Sequence, residues 1–229
     1  MSQPIEPPPS RFELPDPRWA GVDDVIAIGG DLAPGTVLSA YRKGLFPMHL
    51  PDGPLAWWSP WQRGVLPLDG LRVSRSLRRS IDRYRCTVDL AFAAVVEGCA
   101  DPGRPHGWIT DDITAAYGEL HRLGWAHSVE AWDDHGELVG GLYGIAIGGL
   151  FAGESMFHRA ADASKVALVG LVERVRAGGG ILLDVQWATD HLVSLGVVEI
   201  GRLDYLNRLE RALAVPAIDW DGPGRRPEG

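Results

Sequence analysis

The sequence predicts an α+β protein whose sheet is mainly antiparallel, and three observations carry that prediction. The second half runs helix, antiparallel meander, helix, strand, helix, strand, in segments of ordinary length. Small residues recur along the meander, where neighbouring backbones pack closely. The first third is instead cut up by glycine and proline, which leaves space for one short helix and little else that is regular.

Taken in order, residues 1–18 read as a proline-rich arm. From Val25 to Leu68 the chain is interrupted by Gly29, Gly30, Pro34, Gly35, Gly44, Pro47, Pro51, Pro54, Pro60 and Pro67. A helix is expected at Pro34–Lys43, with proline in its first turn and Gly44 as its stop. Ser74–Arg83 and Leu90–Cys99 read as two more. Asp111–Leu123 has helical spacing, with Thr110 or Asp111 as N-cap and Gly124 as C-cap. The meander is His127–Trp132, a turn at Asp133–Gly136, Leu138–Ile147 and Leu150–Phe157. Ala163–Arg176 is a helix that stops at Gly178–Gly180. Ile181–Gln186 is a short apolar run ending in polar residues, the pattern of a buried strand that delivers side chains to a site. A helix near Asp190–Leu195 and a strand at Val197–Arg202 follow. This order resembles the acyltransferase fold shared by the N-acetyltransferases.

At 45% hydrophobic and 23% charged the chain is globular rather than disordered. Cys86 and Cys99 have no zinc-finger or CxxC spacing, which points to a reduced, cytosolic protein. Residues 1–9 lack the basic-then-apolar pattern of a signal peptide. The longest uncharged stretch, Leu138 to Gly153, falls short of the ~20 apolar residues of a spanning helix. A soluble cytoplasmic protein, with no membrane partner, is expected.

The net charge of -8 argues against generic nucleic-acid binding. Locally, however, Arg72, Arg75, Arg78, Arg79, Arg83 and Arg85 stand against Asp82 alone. A solvated helix face would explain such a run, but every cation in it is arginine, whose planar fork suits phosphate.

Several chemistries lack their spacing. There is no GxxxxGK loop, no GxGxxG and no HExxH, and the seven histidines do not pair at metal-ligand spacing. Gly153-Glu-Ser-Met-Phe157 is not a GxSxG elbow, which leaves Ser155 outside that role. Arg176-Ala-Gly-Gly-Gly-Ile181 lacks the final small residue of a coenzyme A pyrophosphate turn.

Three constellations remain. Trp57-Trp58-Ser59-Pro60-Trp61, with Tyr41 and Phe46 upstream and Trp108 downstream, gathers aromatics in a glycine- and proline-rich region. Most of the nine tryptophans are expected to fill core; rings free to stack an adenine contribute roughly 1–3 kcal/mol per base. Phe151-Ala-Gly-Glu154-Ser-Met156-Phe157 sets a carboxylate among apolar residues on a central strand, which calls for a partner or a cavity. Asp184 and Gln186, two apart on a strand, share a face; a buried Asp184 capping a helix is the alternative.

At these constellations the sequence resembles the bacterial leucyl/phenylalanyl-tRNA–protein transferases. The stretches that carry the likeness are Ala27-Ile-Gly-Gly-Asp-Leu32, Ala40-Tyr-Arg-Lys-Gly-Leu-Phe-Pro47, Trp57-Trp-Ser-Pro60, Trp108-Ile-Thr110, Ala126-His-Ser-Val-Glu130, Leu138-Val-Gly-Gly-Leu-Tyr-Gly144, Gly153-Glu-Ser-Met-Phe157, Ala163-Ser-Lys165 and Leu183-Asp184 with Gln186. They run in family order over residues 27–205.

The resemblance implies a small N-terminal domain, residues 1–62, and a C-terminal acyltransferase (N-acetyltransferase-like) domain, residues 63–229. It implies no metal and no cofactor. The donor would be aminoacyl-tRNA carrying Leu, Phe or, less readily, Met, and the acceptor a protein beginning with Arg or Lys, which the transfer marks for degradation. A monomer is expected. Asp184 and Gln186 match the family's catalytic pair and Glu154 its active-site carboxylate. Tyr41, Trp58 and Ser59 fall in its substrate-binding stretches. Trp108 and Tyr117 match residues around the 3′-terminal adenosine, and Leu142, Phe151 and Met156 fall where the donor side chain is held. The six arginines would meet tRNA phosphates. The sequence departs from the family at Met48, which follows Phe-Pro where Trp is common, and at Val185 and Trp187. A coenzyme A-dependent N-acyltransferase and a non-catalytic RNA-binding module are the rival readings.

Overall fold

A computed structural model describes residues 3–51, 53–103 and 107–221. After a 3-10 turn at Pro17–Trp19 the elements are β1 Val25–Ile28, α1 Pro34–Arg42, β2 Phe46–His49, β3 Leu55–Trp58, β4 Gln62–Val65, α2 Arg75–Ile81, β5 Arg85–Val88, α3 Phe92–Cys99 and α4 Asp111–Arg122. They continue with β6 Ala126–Trp132, β7 Leu138–Ile147, β8 Leu150–His158, α5 Ala163–Ala177, β9 Leu182–Gln186, α6 Asp190–Ser194, β10 Val198–Gly201 and α7 Arg202–Leu213.

The α+β expectation holds. A three-stranded antiparallel sheet runs β1-β3-β2, and a seven-stranded sheet runs β10-β4-β9-β8-β7-β6-β5. Among the described residues every pairing of the large sheet is antiparallel except β8 with β9. That exception follows from α5, the crossover helix that returns the chain to the same end of the sheet.

The glycine- and proline-broken first third is more regular than its composition implied, for it contributes β1, β2, β3 and β4. Trp57 and Trp58 lie on strand β3 rather than in a loop. They face opposite sides: Trp57 is fully buried and gives its indole N–H to the Gly29 carbonyl at 2.8 Å. The final helix, α7, begins where a strand end was expected, with Gly201 as its N-cap.

Strand alternation sorts the large sheet into two faces. On one, Tyr143, Ile145, Leu150, Ala152 and Leu182 pack with residues of α1, α3, α4 and α7 and with the small sheet. On the other, Val129, Leu142, Phe151 and Leu183 pack against α5, Leu77 of α2 and Trp220. Helix α5 is buried along most of its length because sheet, α2 and the C-terminal segment press on it from different sides. Each large apolar side chain enclosed this way is worth roughly 1.5–3 kcal/mol relative to leaving it exposed.

Candidate active site

The site is built where the ladder between β8 and β9 stops. Leu150, Phe151 and Ala152 pair with Leu182, Leu183 and Asp184, and no pairing of the two strands follows among the described residues. A side-chain bond continues where the ladder ends: Gln186 Nε2 donates to Glu154 Oε1 at 3.1 Å.

Glu154 owes its position to a β-bulge. Tyr143 pairs with Ser155 and Gly144 with Gly153, so Glu154 is the extra residue on β8. The bulge reverses the alternation, because Ala152 packs on the tyrosine-bearing face whereas Met156 packs on the opposite one. Glu154, two residues after Ala152, keeps that first face, and the inserted residue turns Met156 onto the other. Gly144 makes the bulge possible: a Cβ there would lie 2.2 Å from the Ala152 carbonyl oxygen.

Asp184 and Gln186 share a face, as their spacing requires, and it is the face of Glu154. Asp184 is wholly enclosed and takes four donors. Its Oδ1 accepts from Arg63 Nε at 2.8 Å and from the Gln186 backbone N–H at 3.0 Å. Its Oδ2 accepts from an Arg63 terminal nitrogen at 2.7 Å and from the Tyr205 hydroxyl at 2.9 Å. The backbone bond holds Gln186 at φ 58°, in the left-handed region that ends the strand. Asp184 therefore fixes the main chain of Gln186, and the carboxamide is held by Glu154.

Arg63 and Tyr205 are contributions that the sequence reading missed. Arg63 is 1% exposed, bidentate to Asp184, and lies over the rings of Phe46 at 4.9 Å and Tyr205 at 4.3 Å. Burial is the largest single effect and works against its charge, but Asp184, Tyr205 and Tyr41 together outweigh it and the pKa of Arg63 is raised. The signal for Arg63 was available as a need: a lone buried aspartate on an apolar strand requires a cation.

Around Glu154 two tyrosines form a directed chain. Tyr117 donates to Glu154 Oε2 at 2.9 Å, and the Tyr41 and Tyr117 hydroxyls lie 2.5 Å apart. Tyr117 spends its single hydrogen on the carboxylate, so Tyr41 is the donor of the second bond. Burial raises the pKa of Tyr41, Tyr117 and Tyr205 well above the phenol value and keeps all three protonated. Glu154 is half-buried, yet burial is the first cause of a pKa pushed up to about 7; Tyr41 and Tyr117 oppose it, Asp184 adds to it and Arg63 opposes it.

The folded chain holds the Glu154 proton more tightly than the unfolded chain does, so the contribution of Glu154 to stability is fully present below pH 4.5 and is lost as pH rises to about 7. Glu154→Gln is expected to flatten the fall in Tm over that window; an unchanged profile would mean that Glu154 does not titrate there.

The other expected site residues divide between the faces. Trp58 and Trp108 pack against the cluster that contains Tyr41 and Tyr117. Trp58 donates to the Met48 carbonyl at 2.8 Å and meets Trp187, the residue after Gln186, edge-on at 5.9 Å. Ser59 is buried; its carbonyl accepts from Arg202, and its Oγ has no hydrogen-bond partner among the described residues. Leu142, Phe151 and Met156 lie on the α5 face, across the sheet from the carboxylates. Arg72, Arg75, Arg78, Arg79, Arg83 and Arg85 are all exposed, on and around α2. This helix is tied to the start of α5 through Ser80 to Asp162 at 3.0 Å and Tyr84 to the Ala161 carbonyl at 2.9 Å. No group of three or more His, Cys, Asp or Glu among the described residues is placed to hold a metal ion.

The family model described as leucyl/phenylalanyl-tRNA protein transferase matches residues 65–210, and that for the N-terminal domain of the same proteins matches residues 30–60. The chain belongs to this family. A leucyl/phenylalanyl-tRNA–protein transferase of Pseudoalteromonas atlantica is 48% identical over 213 residues, 91% of this chain and 88% of the relative. One from Anaeromyxobacter dehalogenans strain 2CP-C is 47% identical over 215 residues, 92% of each chain. One from Anaeromyxobacter sp. strain Fw109-5 is 47% identical over 229 residues, 96% of this chain and 97% of its own. The structure of L-PGS from Bacillus licheniformis covers 66% of this chain and 51% of its own at 13% identity and a TM-score of 0.39, too loose a likeness to bear on the fold. As a leucyl/phenylalanyl-tRNA–protein transferase family member, the chain is an aminoacyltransferase. Both family matches include parts of the site: Tyr41 and Trp58 fall in the N-terminal match, and Tyr117, Glu154, Asp184, Gln186 and Tyr205 in the match over residues 65–210.

Proposed function

We propose that this aminoacyltransferase moves Leu or Phe, and less readily Met, from its tRNA to the α-amine of a protein that begins with Arg or Lys, and so creates a degradation signal in the cytoplasm. The observation that carries this reading is the meeting of Glu154, Gln186 and Asp184 in one network, although they come from two strands separated by a crossover helix.

The donor is an ester, already activated relative to the amide that forms, so positioning is the main requirement. An α-amine with a pKa near ~7.7–8.0 is partly neutral at cytosolic pH and needs no strong base. The carboxamide oxygen of Gln186 accepts a hydrogen bond from that amine, while Glu154 favours the cationic side chain or terminus of the acceptor. Trp58, Trp108 and Tyr117 lie beside the terminal adenosine. The donor side chain enters between β8 and β9, past the end of their ladder, towards Leu142, Phe151 and Met156. Discrimination per methylene in such a pocket is only ~1–3 kcal/mol, in keeping with tolerance of three apolar donors.

The arginines on and around α2 contact tRNA phosphates. Arg75→Glu with Arg79→Glu is expected to weaken binding of every elongator tRNA alike and to reduce the log–log salt slope by about 1 per lost phosphate contact. Filter binding across a salt series measures both, and an unaltered slope would remove these arginines from the interface.

The test of the whole reading combines radiolabelled leucyl-tRNA with a peptide beginning with arginine. Labelled peptide is expected. Its absence, or acetyl transfer from coenzyme A in its place, would overturn the reading.

A further inference from the structure

Two carboxylates stand in the site, and their hydrogen bonds give them different capacities for a proton. A carboxylate offers about four lone-pair positions. Asp184 has two donors on each oxygen, from Arg63, Gln186 and Tyr205, and its charge is matched by the guanidinium. Glu154 receives one bond on each oxygen, from Gln186 Nε2 and from the Tyr117 hydroxyl. Among the described residues Glu154 therefore has fewer donors than Asp184, and it is half-buried rather than sealed.

We propose that Glu154 accepts the proton of the attacking amine and returns it to the leaving ribose oxygen, while Asp184, locked by Arg63 and Tyr205, is a positioning residue that sets the end of β9. The inference rests on the transferase reading and deepens it. The amine nitrogen lone pair attacks the ester carbonyl carbon, the N–C bond forms, and the carbonyl π pair moves onto its oxygen until the leaving step restores it. The nitrogen, now cationic, gives one proton to Glu154. The C–O bond to the ribose breaks, its electron pair stays on the ribose oxygen, and that oxygen takes the proton from Glu154. Amine and ester become amide and alcohol, and Glu154 ends as it began.

The groups that face Glu154 come from every element around it: Tyr41 on α1, Arg63 on β4, Tyr117 on α4 and Asp184 on β9. Tyr143 on β7 lies edge-on to Tyr117, and Tyr205 on α7 stands behind Asp184. The balance of these groups, with burial first, lifts the carboxyl into the range where a general base is most effective. The Tyr41–Tyr117 chain supplies donors to the ionised form and loses nothing when the proton passes.

The test is the pH dependence of kcat/KM for a peptide beginning with arginine, at saturating leucyl-tRNA, between about pH 5.5 and 8.5. Two groups must lose a proton, the free amine and Glu154, so the wild-type logarithmic slope below pH 6.5 is expected to be about 2. Glu154→Gln is expected to lower the rate by about 100-fold or more and to leave a slope of about 1. Asp184→Asn, although slower, keeps both ionisations and is expected to move the lower break towards acid pH, because the charge that raises Glu154 is gone. A wild-type slope of one, an undiminished slope in Glu154→Gln, or a lower break that moves towards alkaline pH in Asp184→Asn each overturns the assignment. Should Glu154→Gln be too slow or unfolded to measure, Tyr117→Phe decides. Loss of its hydroxyl removes a donor to the ionised carboxylate and is expected to move the lower break towards alkaline pH, and an unmoved break overturns the assignment. A wild-type chain that labels no peptide at any pH sinks the transferase reading and the proton assignment together, whereas an active chain with unaltered slopes sinks the assignment alone.

Discussion

Arg63→Met is expected to lower the stability of the chain by about 3–5 kcal/mol and to abolish aminoacyl transfer. The guanidinium is the charge partner of a fully buried aspartate and supplies two of its four donors. Methionine fills much of the volume but leaves Asp184 charged, enclosed and short of hydrogen bonds. It also forfeits the contact of the cation with the Phe46 and Tyr205 rings, where a desolvated pair contributes about 2 kcal/mol. The effect belongs to the broken pair rather than to the site's shape, and the double variant separates the two. Arg63→Met with Asp184→Leu is expected to regain most of the lost stability, because a buried ion pair replaced by apolar groups is often neutral. It is not expected to regain transfer, since the Gln186 backbone N–H loses its acceptor. Urea unfolding of the two variants checks the first claim and labelled-peptide formation the second. A single variant as stable as the wild type would mean that the pair does not hold Asp184.

Gly144→Ala is expected to be nearly as damaging, through geometry rather than charge. The added methyl would sit 2.2 Å from the Ala152 carbonyl oxygen and 2.6 Å from the Phe151 ring. Neither is the far end of a flexible chain. The oxygen belongs to β8, so relief requires that strand to move, and with it the bulge that carries Glu154. Overpacking of this kind costs typically about 1–3 kcal/mol, and a backbone clash sits at the upper end. Transfer is expected to fall by more than about tenfold, since a shift of ~1 Å at a positioned group can cost two orders of magnitude. The control is Gly153→Ala, directly across the ladder. A methyl there would meet the Asp184 carbonyl oxygen at 3.7 Å and the Phe151 ring at 3.9 Å, ordinary contacts, and stability should change by less than about 1 kcal/mol. Equal losses in the two variants would show that close approach at Gly144 is not what the bulge depends on.

Much of this was legible in the sequence where local chemistry and tertiary role coincide. Glu154, Asp184 and Gln186 stood out because charged and amide groups are out of place on apolar strands. Helices α1, α3, α4 and α5 and strands β6 to β9 were placed to within a few residues, because their periodicity and stops are local. Strands β1 to β4 were not, since four-residue strands in a glycine- and proline-rich stretch acquire order only from their partners. Arg63 was hidden for the same reason: Gln62-Arg-Gly-Val65 becomes a strand only between β9 and β10. Tyr205 was not singled out, because its hydroxyl acquires meaning only beside Asp184. The bulge at Glu154 was invisible, because a strand's own residues do not say which of them will be left over against its partner.

The Arg63–Asp184 contact joins residues 121 positions apart in the chain, and Tyr41–Tyr117 joins residues 76 apart. Such contacts form only after long stretches have been brought together, and topologies dominated by them fold slowly. Refolding from urea should therefore regain helical circular dichroism well before catalysis, with activity returning in the slowest phase.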